Sequence, residues 1–128
     1  TDNTWYHVVM TQGNNEKKVY VNGVLETTTS TTTPNTNSAN YDMRIGKHAS
    51  DPTSYGHFDG NLDQALIYND VLTLSEVQTL YNSGNGDSTP DTSNLVTHYN
   101  FQQTSGSLLD QVGSFNGGEY RISRYVWR

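Results

Sequence analysis

Residues 58–84 read F-D-G-N-L-D-Q-A-L-I-Y-N-D-V-L-T-L-S-E-V-Q-T-L-Y-N-S-G, and this stretch decides the fold. Its first part, residues 62–69, carries apolar side chains in both of the alternating series that a strand presents to its two faces. This pattern predicts a β-strand that is covered on both faces. The Asn69-Asp70 pair that follows is typical of a turn.

The second part of the stretch predicts one short helix near residues 73–83. Thr73 stands three residues before Glu76, which is the capping-box spacing of a helix start. Gly84 occupies the place where a left-handed residue commonly ends a helix. The apolar residues between them recur at the spacing of one helical face; they are Leu74, Val77, Leu80 and Tyr81.

Composition sets the class of the rest of the chain. A length of 128 residues, 32% of them hydrophobic and 16% charged, fits one all-β domain with many turns. A net charge of −6 argues against a nucleic-acid partner, which needs a basic surface. The absence of cysteine excludes disulfides and thiolate metal sites. No apolar run approaches the length of a membrane span.

Flanking segments predict further strands and one hairpin. Asn22-Gly23 is a strong hairpin signal between apolar stretches, and Trp5 is expected in the core. The Thr-rich segment 27–40 predicts an edge strand that runs into a loop at Pro34. The predicted strands cover residues 4–12, 17–21, 41–47 and 95–101.

Two motifs carry a resemblance to a known family. The pattern F-x-G-x-L-D-x-A-x-I-Y-N-x-x-L-(S/T)-x-x-E-V in 58–77 resembles the closing segment of LamG-like and pentraxin-like domains, members of the concanavalin A-like lectin/glucanase superfamily. The pattern W-x-H-V…V-Y-V-N-G-V-L in 5–25 resembles the middle hairpin of the same domains. This resemblance implies an all-β, two-sheet antiparallel jelly-roll β-sandwich with the one helix near 73–83.

The resemblance also raises a question about domain organisation. In LamG-like domains roughly the first third precedes the W-x-H-V strand, so residues 1–93 are expected to form the main part of a sandwich without that third. Residues 94–128 are either its closing strand or the opening strand of a following module. The chain is then the ordered part of a longer domain, the boundary of two tandem modules, or a sandwich completed by a neighbouring copy. Each alternative predicts association with another domain or chain, because incomplete sandwiches expose strand edges; the aromatic and basic residues 120–128 are expected to take part in such pairing.

The resemblance suggests one metal site. Pentraxin-like relatives bind Ca²⁺ through acidic residues in the loop before the F-x-G strand, and this implies Asp51, with Asp59 nearby, as calcium ligands. The alternative is that Asp51, which precedes Pro52, only initiates a turn. No cofactor follows with certainty, and Ca²⁺ is the one candidate. The four histidines have no ligand spacing, so a transition-metal site is not expected.

Tyr55 and His57 are the candidate glycan-binding residues, since exposed aromatic rings in a polar loop can stack on sugars. The alternative is an aromatic lid over the sandwich edge. The paired carboxylates of superfamily glucanases, in a pattern resembling E-x-D-x-x-E, are missing, and Asp59 and Asp63 do not replace them convincingly.

The sequence therefore predicts a non-catalytic module of a larger protein at an extracellular, cell or virion surface, with a glycan or a surface protein as its partner. The alternative is a structural assembly module, of the kind found in phage particles or cell appendages, that neighbouring subunits complete. A glycoside hydrolase ranks third, because it needs two carboxyl groups about 5–9.5 Å apart in a cleft.

Overall fold

The structure of the chain is a computed structural model, and it describes residues 4–30, 45–46, 58–114 and 116. They form a three-stranded sheet in the order β1-β2-β3 and a two-stranded sheet of β4 and β5. The elements are β1 Val8–Gly13, β2 Glu16–Val21, β3 Val24–Ser30, β4 Ala65–Tyr68, α1 Leu74–Tyr81 and β5 Leu95–Tyr99.

The chain divides into two units, which are described separately. The first comprises residues Thr1–Thr36 and Tyr68–Asn94, and therefore holds the three-stranded sheet and the helix. The second comprises Asn37–Ile67 and Leu95–Arg128. The predicted mixture of antiparallel strands with one short helix is confirmed at this level.

Two tight turns build the three-stranded sheet. β1 pairs antiparallel with β2 across Asn14 and Asn15, whose φ angles are 50° and 60°. β2 pairs antiparallel with β3 across Asn22 and Gly23, with φ of 50° and 75°. Two successive positive φ angles define the turn whose twist matches paired strands, so the predicted Asn22-Gly23 hairpin is confirmed.

The two faces of this sheet differ in exposure. Thr11 and Tyr20 are buried on one face. On the other face Val8, Met10 and Val24 are exposed, and Met10 reaches 79%. The prediction that Trp5 lies in the core is wrong, because Trp5 is 62% exposed. It precedes β1 by three residues, so no strand partner holds its side chain against the sheet.

The helix begins as the sequence predicts. The Thr73 side chain accepts a hydrogen bond from the Glu76 N–H at 3.3 Å, and the Glu76 carboxylate accepts one from the Thr73 N–H at 2.7 Å. Val77 and Leu80 are buried, whereas Leu74 is 47% exposed. The buried face of the helix is therefore smaller than the four predicted residues, since only Val77 and Leu80 are buried.

The helix ends earlier than expected. Asn82, with φ of 46° and ψ of 47°, is the left-handed cap, and residues Asn82–Gly84 form a short 3-10 turn. Gly84 is thus not the cap, because an asparagine can itself adopt the left-handed conformation at modest cost. The ring of Tyr81, the last helical residue, packs against Gly23: a Cβ added to this glycine would lie only 3.1 Å from the ring. The same ring stacks on His7, with 5.9 Å between the ring centroids.

Thr73→Ala is expected to lower the free energy of unfolding by about 1 kcal/mol, because it removes one half of the capping box. Hydrogen bonds from the Thr73 backbone and side chain lower the pKa of Glu76, so the box is weakened as pH falls through that pKa. Urea titrations of the wild type and Thr73→Ala at pH 7 and pH 3 check both statements. The difference between them is expected to shrink at pH 3, and an unchanged difference would show that Glu76 does not take part. Thr73→Ser, which keeps the hydroxyl, is the matched control.

The second unit is organised around β4 and β5. The prediction that residues 62–69 are covered on both faces is wrong, because Leu62 and Ile67 are exposed; only Ala65–Tyr68 is a strand, and residues 58–64 precede it without strand structure. In β5, the last three residues, Thr97, His98 and Tyr99, are buried. The strand ends at Tyr99 rather than at the predicted residue 101.

Asp110 ties β5 to the chain that follows it. Its carboxylate accepts hydrogen bonds from the His98 N–H at 3.0 Å and the Val112 N–H at 3.2 Å. Partial burial favours its neutral form, but the hydrogen bonds from these backbone N–H groups outweigh burial and hold the pKa of Asp110 well below its usual range. A side chain at position 113 would collide with the Val96 carbonyl at 2.7 Å, so only glycine fits beside this carboxylate.

Several predictions fall outside the described residues. They concern most of 27–40, the segment 120–128 and most of the predicted strand 41–47. Of that strand only Ile45 and Gly46 are described, and they lie in a bend.

Candidate functional site

A groove of about 260 Å³ lies on one continuous segment of the first unit, residues 68–94. We call it the acidic groove, because carboxylates and apolar side chains share its wall, and among the described residues no Lys, Arg or His lines it. It is smaller than the roughly 300–1,000 Å³ of pockets for drug-sized ligands. Its lining residues are Tyr68, Asp70, Val71, Leu72, Glu76, Thr79, Leu80, Asp87, Asp91, Ser93 and Asn94.

Short-range hydrogen bonds position the carboxylates. Asp87 accepts from the Thr89 N–H at 2.9 Å, and Asp91 accepts from the Ser93 N–H at 2.8 Å, which are two Asx turns in succession. Asp70 accepts from the Val71 N–H at 2.7 Å. Because a carboxylate offers about four lone-pair sites, these bonds fix the side chains and leave acceptor capacity for a ligand.

The electrostatics of the groove follow from its acids. Burial, followed by the charges of Asp91, Asp87 and Glu76, raises the pKa of the Tyr68 hydroxyl. That hydroxyl donates a hydrogen bond to the Asp91 carbonyl at 3.3 Å. Hydrogen bonds from Ser93 lower the pKa of Asp91, so it is ionised at neutral pH. The groove therefore repels anions and favours groups that donate hydrogen bonds.

The segment that carries the groove is closed at its base. The Asn69 N–H donates to the Asn94 carbonyl at 2.9 Å, and the Asn94 amide donates to the Asp70 carboxylate at 3.3 Å. Residues 69–94 thus leave the end of one strand and return to the start of the next as a loop with adjoining ends. Connecting segments that a rigid scaffold presents are common places for binding.

The sequence-predicted site residues lie elsewhere. Asp51, Tyr55 and His57 fall outside the described residues, so the proposed calcium and glycan positions stay predictions. Asp59 is described and is exposed, without regular structure around it. Within residues 4–30, 45–46, 58–114 and 116, no three His, Asp or Glu side chains are grouped closely enough to hold a metal ion.

The two described histidines have structural surroundings. His7 stacks on Tyr81, and its backbone exchanges hydrogen bonds with Asn22 at 2.8 and 3.0 Å. Burial lowers the pKa of the His7 ring. The Nε2 atom of His98 lies 2.6 Å from the Gln64 side-chain oxygen. Both rings therefore contact neighbouring side chains of the chain itself.

Sequence reasoning missed the acidic groove. Residues 85–93 have the Gly, Ser, Asp and Pro composition of a connector, although D-S-T at Asp87 and D-T-S at Asp91 repeat an Asx-turn pattern that marks an ordered loop. The groove as a whole has no signal in the sequence, because its residues are distant along the chain. Asp70 and Asp91 line the same groove only because residues 69–94 return to the end of β4.

The comparisons with known proteins address the family. No described helix is long and apolar enough to cross a membrane. No curated protein matches the chain significantly. A crystallised segment of an S-layer domain-containing protein from Clostridium thermocellum ATCC 27405 matches with a TM-score of 0.55 and 23% sequence identity, over 63% of this chain and 41% of that chain. This chain therefore spans less than half of that structure, and the likeness concerns the fold.

The sequence match is more decisive. The family model Laminin G 3, described as concanavalin A-like lectin/glucanases superfamily, matches residues 1–78. This range contains both motifs on which the resemblance rested, the hairpin around Asn22-Gly23 and most of the strand-helix segment, and it covers more than half of the chain. The chain belongs to the concanavalin A-like lectin/glucanases superfamily.

Proposed function

We propose that this chain is a non-catalytic recognition module of a larger surface protein, and that its acidic groove binds a neutral or amino sugar. One observation carries the proposal: the groove presents carboxylates fixed by local hydrogen bonds beside an apolar wall that includes Tyr68 and Leu80. Sugar hydroxyls donate hydrogen bonds to such acceptors, and the apolar wall accommodates a sugar face.

The size and sign of the groove define the ligand class. A volume of about 260 Å³ suits a single sugar residue at a chain end or branch. Four carboxylates without a cation in the lining disfavour sialylated or uronic glycans by like-charge repulsion; they are Asp70, Glu76, Asp87 and Asp91.

The test is a glycan array followed by calorimetric titration with the best neutral or amino sugar. Asp87→Asn and Tyr68→Ala are expected to weaken binding at least about tenfold, which corresponds to the loss of roughly 1.4 kcal/mol. Glu26→Gln, a change at an exposed carboxylate of β3 outside the groove lining, is the matched control and should bind as the wild type does. Exclusive binding of acidic glycans, or binding insensitive to both groove variants, would contradict the proposal.

The same titrations address calcium and the loop predicted from sequence. Runs in Ca²⁺ and in EDTA, with Asp51→Ala, Asp59→Ala and a Tyr55→Ala/His57→Ala double variant, separate the two candidate sites. If sugar binding depends on Ca²⁺ and is lost only in these variants, the binding site is the loop that contains Asp51 and Asp59, and not the groove. A melting temperature that responds equally to Asp51→Ala in Ca²⁺ and in EDTA would end the calcium proposal.

The proposal includes a domain organisation and an absence of catalysis. Residues 1–93 are proposed as the main part of a jelly-roll sandwich, and residues 94–128 as its closing strand or the opening strand of a following module. We also propose that the module has no catalytic activity. Incubation with candidate polysaccharides should therefore release no reducing ends. The structural neighbour, described as an S-layer domain-containing protein, supports a cell-surface location in preference to a virion.

A second function is favoured by one observation. The exposed face of the three-stranded sheet carries Val8, Met10 and Val24 close together on cross-strand positions. Exposed apolar side chains grouped on one face suit contact with a neighbouring domain or subunit. We therefore propose structural assembly as the alternative role, which Met10→Lys tests by light scattering: the substitution should abolish any oligomer that uses this face.

A further inference from the structure

His7 lies where the hairpin of β2 and β3 meets the helix. Its N–H donates to the Asn22 side chain at 3.0 Å, and its carbonyl accepts from the Asn22 N–H at 2.8 Å. Its ring stacks on Tyr81, the last residue of α1, with 5.9 Å between the ring centroids. The backbone of His7 is therefore bonded to the hairpin turn, while its ring contacts the helix.

The hairpin turn also contacts the helix directly. A Cβ added to Gly23 would lie 3.1 Å from the ring of Tyr81 and 3.5 Å from the side chain of Gln78. The Gln78 amide donates to the Gly23 carbonyl at 3.5 Å, which is a long hydrogen bond. Packing therefore holds this contact more than hydrogen bonding does. We call the five residues the helix latch; they are His7, Asn22, Gly23, Gln78 and Tyr81.

One ring nitrogen of His7 is enclosed in the helix latch. The Nδ1 atom is inaccessible to solvent and has no hydrogen-bond partner among the described residues. A neutral imidazole carries a proton on only one nitrogen, whereas an imidazolium carries one on each. In the charged ring Nδ1 would be an N–H donor that reaches neither water nor an acceptor, and burial of such a donor is costly. The latch therefore accommodates neutral His7 and opposes its protonation.

No charge within the helix latch offsets this cost. Tyr81 is its only other titratable side chain, and phenols are uncharged over the range in which imidazoles titrate. On the elements that meet here, the nearest acids along the chain are Glu76, which is held in the capping box at the other end of α1, and Glu26 on β3. The stacked Tyr81 ring attracts a cation only weakly. Burial prevails, and it lowers the pKa of His7.

We propose that the helix latch is a proton-sensitive switch, in which neutral His7 keeps the hairpin turn on α1 and protonated His7 leaves that position. An imidazolium relieves its buried N–H by turning Nδ1 towards water, which ends the stacking on Tyr81. Because α1 also lines the acidic groove with Glu76, Thr79 and Leu80, release of its C-terminal end alters one wall of the groove. The switch acts whether or not the groove binds a sugar.

The direction of the switch follows from proton linkage. Since the folded pKa of His7 is lowered, the folded chain binds fewer protons than the unfolded chain near and below the unfolded value of about 6.5. The stabilisation is fully present above that value and is lost as pH falls from it towards the folded pKa. Carboxylates ordinarily titrate near pH 4, so mild acid near pH 5.5 affects the latch before them.

Thermal melting of the wild type and His7→Phe at pH 7.5 and pH 5.5 is the first test. Phenylalanine keeps a ring against Tyr81 and has no proton to gain. The Tm of the wild type is expected to fall between these pH values by at least about 3 °C more than that of the variant. The other three histidines are present in both proteins, so their contribution cancels. Equal falls in Tm overturn the switch.

An NMR titration of the wild type is the second test and needs no folded variant. The ring signal of His7 is expected to titrate with a midpoint below about pH 6.5, and the amide signals of Gly23 and Tyr81 should shift with the same midpoint. The amides of Asn14 and Asn15, in the turn at the opposite end of β1, are the internal control and should not follow it. A midpoint at or above pH 6.5, or latch amides that ignore the titration of His7, also overturns the switch.

Neither readout involves a sugar. A failure of the glycan-binding proposal therefore leaves both results interpretable, and a failure of the switch leaves the glycan titrations at pH 7 unaffected.

Discussion

A chain that carries Val77→Asp is expected to lose its cooperative unfolding transition at pH 7. Val77 is the side chain on α1 with no exposed surface, and it lies one turn from the buried Leu80. A carboxylate in that position must either remain charged without water or take up a proton, and both cost several kcal/mol. Since the whole domain is stable by only about 5–15 kcal/mol, the helix is expected to separate from the sheet.

A milder substitution gives the graded version of the same result. Val77→Ala removes two methyl groups from a closely packed position and is expected to cost about 2 kcal/mol, from lost apolar burial together with the cavity that remains. Chemical denaturation followed by circular dichroism measures the change, with Ser75→Ala as the control. Ser75 is exposed on the same helix, so its substitution should cost less than about 1 kcal/mol. Equal losses for Val77→Ala and Ser75→Ala would show that α1 does not depend on this packing.

Asp110→Ala is expected to be the most damaging substitution in the second unit, with a loss of about 3 kcal/mol in the free energy of unfolding. The carboxylate accepts backbone N–H groups from His98 and Val112. Its removal leaves these donors without their acceptor beside a buried strand, and hydrogen bonds to charged groups are worth about 1.5–3 kcal/mol each. Asp110→Asn keeps one neutral acceptor and should lose about half as much. Asp59→Ala, at an exposed carboxylate, should stay within about 0.5 kcal/mol of the wild type.

The pH dependence of stability gives an independent check on Asp110. Its folded pKa lies well below its unfolded value of about 3.9. The stabilisation is therefore complete above about pH 4 and is lost as pH falls toward the folded pKa. Between pH 5 and pH 2, the free energy of unfolding of the wild type should fall more steeply than that of Asp110→Asn. Parallel curves would show that the carboxylate is not held by these donors.

The features that could be predicted from sequence are those that depend on residues close together along the chain. Asn22-Gly23 requires only two residues that tolerate positive φ, and the capping box requires only Thr73 and Glu76 three positions apart. Both appear in the structure because the interacting groups are close along the chain. The end of the helix was misplaced for a related reason, since Asn82 and Gly84 both tolerate the left-handed conformation and the pattern alone does not choose between them.

What could not be predicted depends on partners that are distant in sequence. Trp5 is expected in the core from sequence but is exposed, because burial depends on what covers a side chain. The contribution of Asp110 arises because the chain turns back onto His98, and no periodicity signals that return. The acidic groove likewise needs Asp70 and Asp91 on one wall, which follows from the closure between Asn69 and Asn94.

The first sheet is built by two-residue turns, whereas β4 and β5 are joined by the long segment 69–94. This difference implies an order of folding. Hairpins with two-residue turns form in about 1–10 μs, so β1, β2 and β3 can pair early. The pairing of β4 with β5 must first close residues 69–94, and contacts between distant residues form late because the loop entropy is paid before the contact is gained. During synthesis from the N-terminus, the first sheet can therefore assemble while the acidic groove still lacks Asn94, and the capacity to bind would be among the last properties that the chain acquires.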